Sequence, residues 1–221
     1  MVSTLRSDTA TLVRLADRDL ARLWRLVAGG ASAEVALRDL LPSIVTEYGA
    51  AGAALAAEWY DDQRAKAGVR GVFEALPIAA DDRGTQALIG WALATATDDA
   101  SLQALVLGGT QRRIADHMRY TVTSSSIADP GAAGWQRIGT GASTCTWCRM
   151  VNGRGAVFSE STADFAAHDN DDCQAVPAWK GEPVPVKPYT VSPRRTIGPD
   201  GKPVIDADFL RAKQWLADHP L

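Results

Sequence analysis

The sequence predicts an α+β protein that is mainly α-helical. A helical region comes first, a small irregular α/β module follows, and an extended C-terminal arm ends in a final helix. Three observations support this class: apolar residues recur every three or four positions up to about residue 126, glycine-rich turns and short β-prone pieces follow, and prolines are frequent over residues 180–202. The predicted regions are residues 1–128, 129–180 and 181–221.

The helical region opens with one apolar stripe, formed by Leu12, Ala16, Leu20, Leu23 and Val27. Gly29 and Gly30 end this first helix. Ser32 provides an N-cap for the next one, because its hydroxyl can accept a hydrogen bond from a free amide of the first turn. Pro42 is expected to break or kink the second helix, since it lacks an amide N–H and clashes with the preceding turn.

A longer helical segment is predicted over residues 43–67, and its glycines and alanines allow another helix to approach closely. We interpret the small residues Gly49, Gly52, Ala53 and Ala56, with Trp24 and Trp59, in one of two ways. They form either an ordinary helical core or a surface for a partner. Two more helices are predicted over residues 84–96 and 99–123, and the Ser124–Ser126 run is read as the loop that ends the last of them.

The character of the chain changes after residue 126. Asp129-Pro130-Gly131 is a turn signal, and β-prone pieces are predicted at residues 156–158 and 175–177. The prolines of residues 180–202 favour an extended arm, because proline blocks both helices and central strands. An amphipathic helix is predicted over residues 206–218.

Composition and charge exclude several classes of protein. An apolar fraction of 46% and a charged fraction of 22% are typical of a globular protein. A net charge of −3 argues against a protein that coats DNA. There is no signal-peptide core and no run of about eighteen apolar residues, since the nearest candidate, residues 49–57, is too short. We therefore expect no membrane span and a protein kept in a cytoplasm.

All three cysteines of the chain fit one metal-ligand pattern. Cys145 and Cys148 are separated by two residues, and His168 precedes Cys173 by five positions. Two thiolates at this spacing can turn towards one ion, and a Cys3His set is one that tetrahedral Zn²⁺ prefers. The surrounding stretch has few large aliphatic residues, so a structural zinc would supply stability that a small core cannot. The sequence predicts a structural zinc-stapled module.

Other interpretations of the cysteines are a redox dithiol or no metal at all, but the βαβ pattern of redox dithiols is missing. A catalytic zinc is disfavoured because four protein ligands leave no position for water. The signatures GxxxxGK[ST], HExxH and GxSxG are also missing, so no enzymatic activity is predicted. His117 is expected to be a partly buried helix residue.

Within residues 135–179 the motifs resemble those of a known family. They are Cys145-Thr146-Trp147-Cys148-Arg149-Met150, Gly153-Arg154-Gly155-Ala156-Val157-Phe158, Phe165, His168, Asp172-Cys173 and Ala175-Val176-Pro177. This stretch resembles the phage Mu F-like minor head proteins, in the branch found in phages and prophages of actinobacteria. That family commonly ends the motif with a histidine and two cysteines one residue apart. Here Asp171 replaces the first of the pair, so Asp171 or Asp172 competes with Cys173 as the last ligand.

The resemblance implies a minor capsid protein of a tailed phage, present in several copies on the portal ring inside the head. It implies a role in head assembly or in genome packaging and ejection. The implied partners are the portal protein, other capsid or scaffold proteins and the packaged DNA, with no membrane. The implied location is the virion, and the host cytoplasm during assembly. The alternatives are an HNH-type zinc-knuckle nuclease, which lacks a clear catalytic histidine pair here, and a nucleic-acid adaptor, which the acidic run Asp169–Asp172 disfavours.

Overall fold

The computed structural model describes residues 2–79, 83–139, 152–153, 155, 157–159, 173–183 and 214. Over these residues the elements are α1 (Val2–Ala28), α2 (Ala33–Lys66), α3 (Arg83–Thr95), α4 (Asp99–Ala128), β1 (Gly134–Gly139) and β2 (Cys173–Ala178). The prediction of a mainly helical α+β protein is confirmed for this part of the chain. Most of the predicted arm, including the body of its final helix, lies outside the described residues.

Local capping residues set the helix ends much as the sequence predicted. Gly30 has a φ of 100°, a conformation that glycine adopts without steric cost, directly after α1. The hydroxyl of Ser32 accepts a hydrogen bond from the Val35 amide at 3.5 Å. At the start of α4, Asp98 and Ser101 form a reciprocal capping box, which satisfies two backbone donors at once.

Two sequence expectations about helix ends were wrong. Of the expected break or kink at Pro42, the break is wrong, since α2 is continuous from Ala33 to Lys66. Leu37, Leu41 and Val45 are fully buried on both sides of the proline, and this packing outweighs the lost amide hydrogen bond. Likewise Ser126 is not in a loop: α4 continues to Ala128, and the buried Ser126 hydroxyl donates to the Val122 carbonyl at 2.7 Å.

α2 and α4 run side by side in the same direction, and α1 and α3 pack against this central pair. Gly49 of α2 lies against the ring of His117, and Gly52 lies against Met118 and Leu12. α1 is antiparallel to α2, since the Tyr48 hydroxyl donates to the Asp19 carboxylate at 2.6 Å while Gly52, further along α2, lies against Leu12, which is earlier in α1. The small-residue face of α2 is therefore an internal packing surface. Trp59 is only 7% exposed, so the core interpretation is confirmed and the partner-surface interpretation of this face is wrong.

The chain returns from α2 to α3 in an extended segment that runs back along α4. The Ala75 amide donates to the Asp61 carboxylate at 3.1 Å. The Thr121 hydroxyl accepts from the Ile78 amide at 3.1 Å and donates to the Ile78 carbonyl at 3.2 Å. Side chains of α2 and α4 thus replace the regular hydrogen bonds that this segment lacks.

β1 and β2 form an antiparallel pair, with Gly134 opposite Ala178 and Gly139 opposite Cys173. β2 includes the predicted piece 175–177, whereas β1 was not predicted. The backbone of Trp135 exchanges hydrogen bonds of 2.9 and 2.8 Å with Phe158. Because those groups point away from β2, Pro177 opposite Trp135 loses no ladder bond by lacking an N–H.

The two strands lie along the end of α4 and share its core. Trp135 and Ala175 belong to the same buried cluster as Leu5, Tyr60 and Ile114. One end of the pair is attached near Asp129 and the other near Arg119 of α4. The ten residues from Arg119 to Asp129 span about 15 Å along the helix. A six-residue strand such as β1 or β2 spans about 17 Å, so the strand pair is about as long as the part of the chain between its two attachments.

Among the described helices, α2 is long and apolar enough to cross a membrane, judged by length and composition alone. This differs from the expectation that no segment of the chain would be. The difference arises because the mean hydropathy of eighteen residues can be high even where a charged residue such as Glu47 interrupts the apolar run; glycines and alanines of this helix are buried against α1 and α4. A buried core helix has the same length and composition.

Candidate functional site

Cys173 is the predicted zinc ligand that falls within the described residues. It is the first residue of β2 and is 1% exposed. Cys145, Cys148 and His168 lie outside the described residues, as do Asp171 and Asp172. Within the described part of the chain, no three His, Cys, Asp or Glu side chains are grouped so that they could hold a metal ion. The zinc site therefore stays a prediction.

The strand pairing places both ends of the cysteine-containing connection at one point. Gly139, where β1 ends, is directly opposite Cys173. The intervening connection has roughly thirty residues, far more than the 2–5 of an ordinary hairpin loop. Cys145 follows Gly139 by six positions. A fully extended chain of six residues reaches at most about 20 Å, so Cys145 is within that distance of Gly139. The donor set is thus compatible in chemistry and chain length with a zinc bound beside Cys173.

Arg119 of α4 holds the backbone of Cys173. Its Nε and Nη2 atoms donate to the Cys173 carbonyl at 3.1 and 3.0 Å. Its Nη1 atom forms an ion pair of 3.1 Å with Asp116, whose other carboxylate oxygen lies 3.0 Å from Arg113. Arg119 is only 7% exposed, and its two bonds to the Cys173 carbonyl are buried, so water does not reach them, whereas Asp116 is partly exposed. Sequence reasoning missed Arg119, because only the folded chain brings α4 and β2 together.

A half-open cavity of about 170 Å³ lies beside Cys173, between α1 and α4. Its described lining residues are mostly apolar and come from α1, α4 and β2: Leu5, Arg6, Thr9, Ala10, Val13, Ala115, Met118, Arg119, Val122, Cys173, Gln174 and Ala175. The Thr9 hydroxyl donates to the Leu5 carbonyl at 2.7 Å, so it caps a backbone group of its own helix.

A second polar cluster is buried where α2, α4 and the strands meet. Arg64 Nε lies 2.9 Å from the Asp129 carboxylate, and its Nη atoms donate to the carbonyls of Val69, Arg70 and Gly71. The Tyr60 hydroxyl donates to Asp129 at 3.2 Å. Burial, and then the negative charge of Asp129, raise the pKa of Tyr60.

This cluster is a structural joint. The Arg64 guanidinium donates from Nε to the Asp129 carboxylate and from Nη1 and Nη2 to the carbonyls of the 69–71 loop. Asp129 also accepts from the Gly131 amide at 2.8 Å, and so shapes the turn into β1.

His117, expected to be partly buried, is 3% exposed and packs on Gly49 within the helical core.

Comparison with known proteins gave a match to a family model. No curated protein matches the chain, and no solved structure matches it. The model of a family described as VG15 protein matches residues 1–194, a range that includes all the helices and strands above and the four predicted zinc ligands. This family suggests a phage protein, associated with the virion or the host cell. The match covers most of the sequence, and the chain therefore belongs to the VG15 protein family.

Proposed function

We propose that this chain is a minor capsid protein of a tailed phage, bound in several copies to the portal vertex on the inner side of the head. In this proposal it assists head assembly or genome packaging and ejection, has no enzymatic activity and needs no membrane. In this proposal the module of residues 129–180 holds a structural zinc through Cys145, Cys148, His168 and Cys173. The observation that carries the proposal is the match of one phage protein family across both the helical region and the cysteine module.

The motifs around Cys145 and Cys148 add the finer part of the proposal, since they resemble those of the Mu F-like minor head proteins. Zinc at this place would provide stability to a loop-rich module rather than chemistry. The helical region, with its own buried core, would then be the part that binds the portal protein.

The outer face of α3 is a suitable surface for that binding. Ala87, Gly90, Trp91 and Ala94 recur at helical spacing and are all exposed, and residues 84–95 contain no charged side chain. Trp91 is 45% exposed. Tryptophan is enriched among the residues that dominate interface energy, and small neighbours let another backbone come close.

The test is co-expression with the portal protein of the same phage, followed by size-exclusion chromatography. We expect the two proteins to elute together as a complex with several copies of this chain. Trp91→Ala should weaken or abolish co-elution. Tyr120→Ala, which removes another exposed aromatic side chain (42% exposed, on α4), is the matched control and should not.

Separate elution of the two wild-type proteins at micromolar concentration and low salt would contradict portal binding. Co-elution that Trp91→Ala leaves unchanged would retain the complex but remove α3 as its contact surface. Circular dichroism of each variant shows whether the helices remain folded.

A further inference from the structure

We propose that Arg119 is a positioning residue for the predicted zinc site: it fixes Cys173 on α4 and couples metal binding to the helical bundle. This inference rests on the zinc site of the proposed function. It goes further by assigning a role to a residue outside the cysteine module, which the ligand spacing does not indicate.

The contact geometry supports this role. Two donors of one guanidinium converge on the single carbonyl oxygen of Cys173, at 3.1 and 3.0 Å. Hydrogen bonds from a charged donor are stronger than those between neutral groups. They engage the main chain of Cys173, so Arg119 acts on the position of this residue and not on its thiol.

Arg119 is itself held in place. Asp116, one helical turn earlier, accepts from its Nη1 atom at 3.1 Å and so limits the rotamers of the long side chain. Arg119 and its contacts with Cys173 are buried, which means that water does not compete for them. The first residue of β2 therefore has a defined position relative to α4.

This position matters because Cys173 is opposite Gly139, at the mouth of the long connection. A metal ligand must be held closely to bind well, and residues that orient ligands commonly contribute about 10–100-fold in metal affinity. With Cys173 fixed on α4, the connection has only to bring its other ligands to it. Zinc bound there would also tie the connection to the bundle.

The experiment compares zinc affinity in the full chain, by competition with a chromogenic chelator, for wild type, Arg119→Met, Arg119→Lys and Arg113→Met. Arg113 is the matched control because its guanidinium pairs with the same Asp116 carboxylate and lies against Gly84 of α3. We expect Arg119→Met to weaken zinc binding about 10–100-fold. Arg119→Lys, which keeps the charge on a single donor nitrogen, should recover part of the loss, and Arg113→Met should bind as wild type does.

Two further measurements separate positioning from general stability. Cobalt substitution should give a thiolate-to-metal absorption band that weakens in Arg119→Met. In a Cys173→Ser background, which keeps the carbonyl, Arg119→Met should have no additional effect on the residual zinc affinity. Wild-type affinity and an unchanged cobalt spectrum in Arg119→Met would overturn the inference, and so would an equal loss in Arg113→Met.

The wild-type protein distinguishes this inference from the proposal beneath it. A folded, reduced wild type without zinc would remove both the zinc site and the role of Arg119. A wild type with zinc whose affinity does not depend on residue 119 would keep the site and reject only the positioning role. If Arg119→Met does not fold, the zinc affinities of Arg119→Lys and Arg113→Met are compared instead. Weaker zinc binding by Arg119→Lys alone supports the positioning role, and equal affinities overturn it.

Discussion

Asp129 is a buried carboxylate on which three donor groups converge. Its side chain is fully inaccessible, and it is held by Arg64 from α2, by the Tyr60 hydroxyl and by the Gly131 amide. A buried charge is tolerated only when it is paired and its remaining lone pairs are bonded. The pair thus fixes how the chain leaves α4 and enters β1.

We expect Asp129→Asn to lower the free energy of unfolding by about 3–5 kcal/mol, because it leaves the Arg64 guanidinium buried without a counter-charge. Urea denaturation followed by circular dichroism measures this change. Asp62→Asn is the matched control: its ion pair with Lys66 is exposed, with side chains 70% and 51% accessible. Exposed pairs contribute about 0–1 kcal/mol.

A loss for Asp129→Asn no larger than for Asp62→Asn would show that Arg64 finds enough partners in the 69–71 carbonyls. In that case the joint would depend on the loop rather than on the ion pair.

At this scale, sequence reasoning succeeds where a residue acts on its neighbours. Ser32 caps α2 as predicted, because a cap needs only the next three residues. The turn at Asp129 was predicted, but the role of Arg119 and the pairing of Asp129 with Arg64 were missed, since Cys173 and Arg64 are 54 and 65 positions away along the chain. A charged residue in a helix carries no local signal that its partner will be buried with it.

Among the elements, α2 and α4 owe their close approach to glycine. A Cβ on Gly49 would lie 2.6 Å from the His117 ring, and one on Gly52 would lie 2.8 Å from Met118. Such distances require the neighbour to move. Composition indicated close packing of the 43–67 segment. It did not show which helix approaches, since that depends on tertiary structure.

We expect Gly49→Ala to destabilise the protein by about 1–3 kcal/mol through overpacking against His117. Gly90→Ala is the matched control in α3, where nothing lies within 4 Å of the new methyl group. It should stabilise by about 0.5–1 kcal/mol, because alanine loses less backbone entropy in a helix than glycine. In thermal unfolding, 1 kcal/mol corresponds to about 2–4 °C for a chain of this size.

If both substitutions raised the melting temperature, the α2–α4 contact would be looser than the structure has it. The opposite signs expected here make the pair a test of packing rather than of helix propensity.

The helices were easier to predict than the strands. Long apolar periodicities show where a helix lies, and Pro42 misled only because packing on both sides keeps α2 continuous. β1 was missed since Gly134–Gly139 has a weak alternating pattern of its own. Its pairing with β2 spans the whole cysteine connection, and such a non-local contact leaves little trace in the nearby sequence.

For the whole molecule, the decisive question is whether the cysteine module depends on metal. Purified, reduced protein should contain about one zinc per chain, as expected for a closed four-ligand site. Cys148→Ser should lose the zinc while the circular dichroism signal of the helices is largely retained, because their two buried clusters are made mainly by the helices themselves. Metal analysis by mass spectrometry gives the stoichiometry.

A folded, reduced sample without zinc would contradict this expectation. So would loss of all helical signal on chelation, since the bundle would then require the metal that we assign only to the module.

The placement of β1 and β2 along α4 also has a mechanical consequence. The strands are attached at one end beside Asp129 and at the other by Arg119, and they run nearly along the helix axis. A pull on residues 140–172 acts at the Gly139 and Cys173 ends, where the Arg119 contact takes the force first. Beyond it, tension directed along the strands pulls β1 and β2 in the same direction, so it is carried by both backbones and by their packing against α4 rather than by the hydrogen bonds between the two strands. Tension directed away from α4 would instead peel the pair from the helix, so resistance should depend strongly on the direction of the pull.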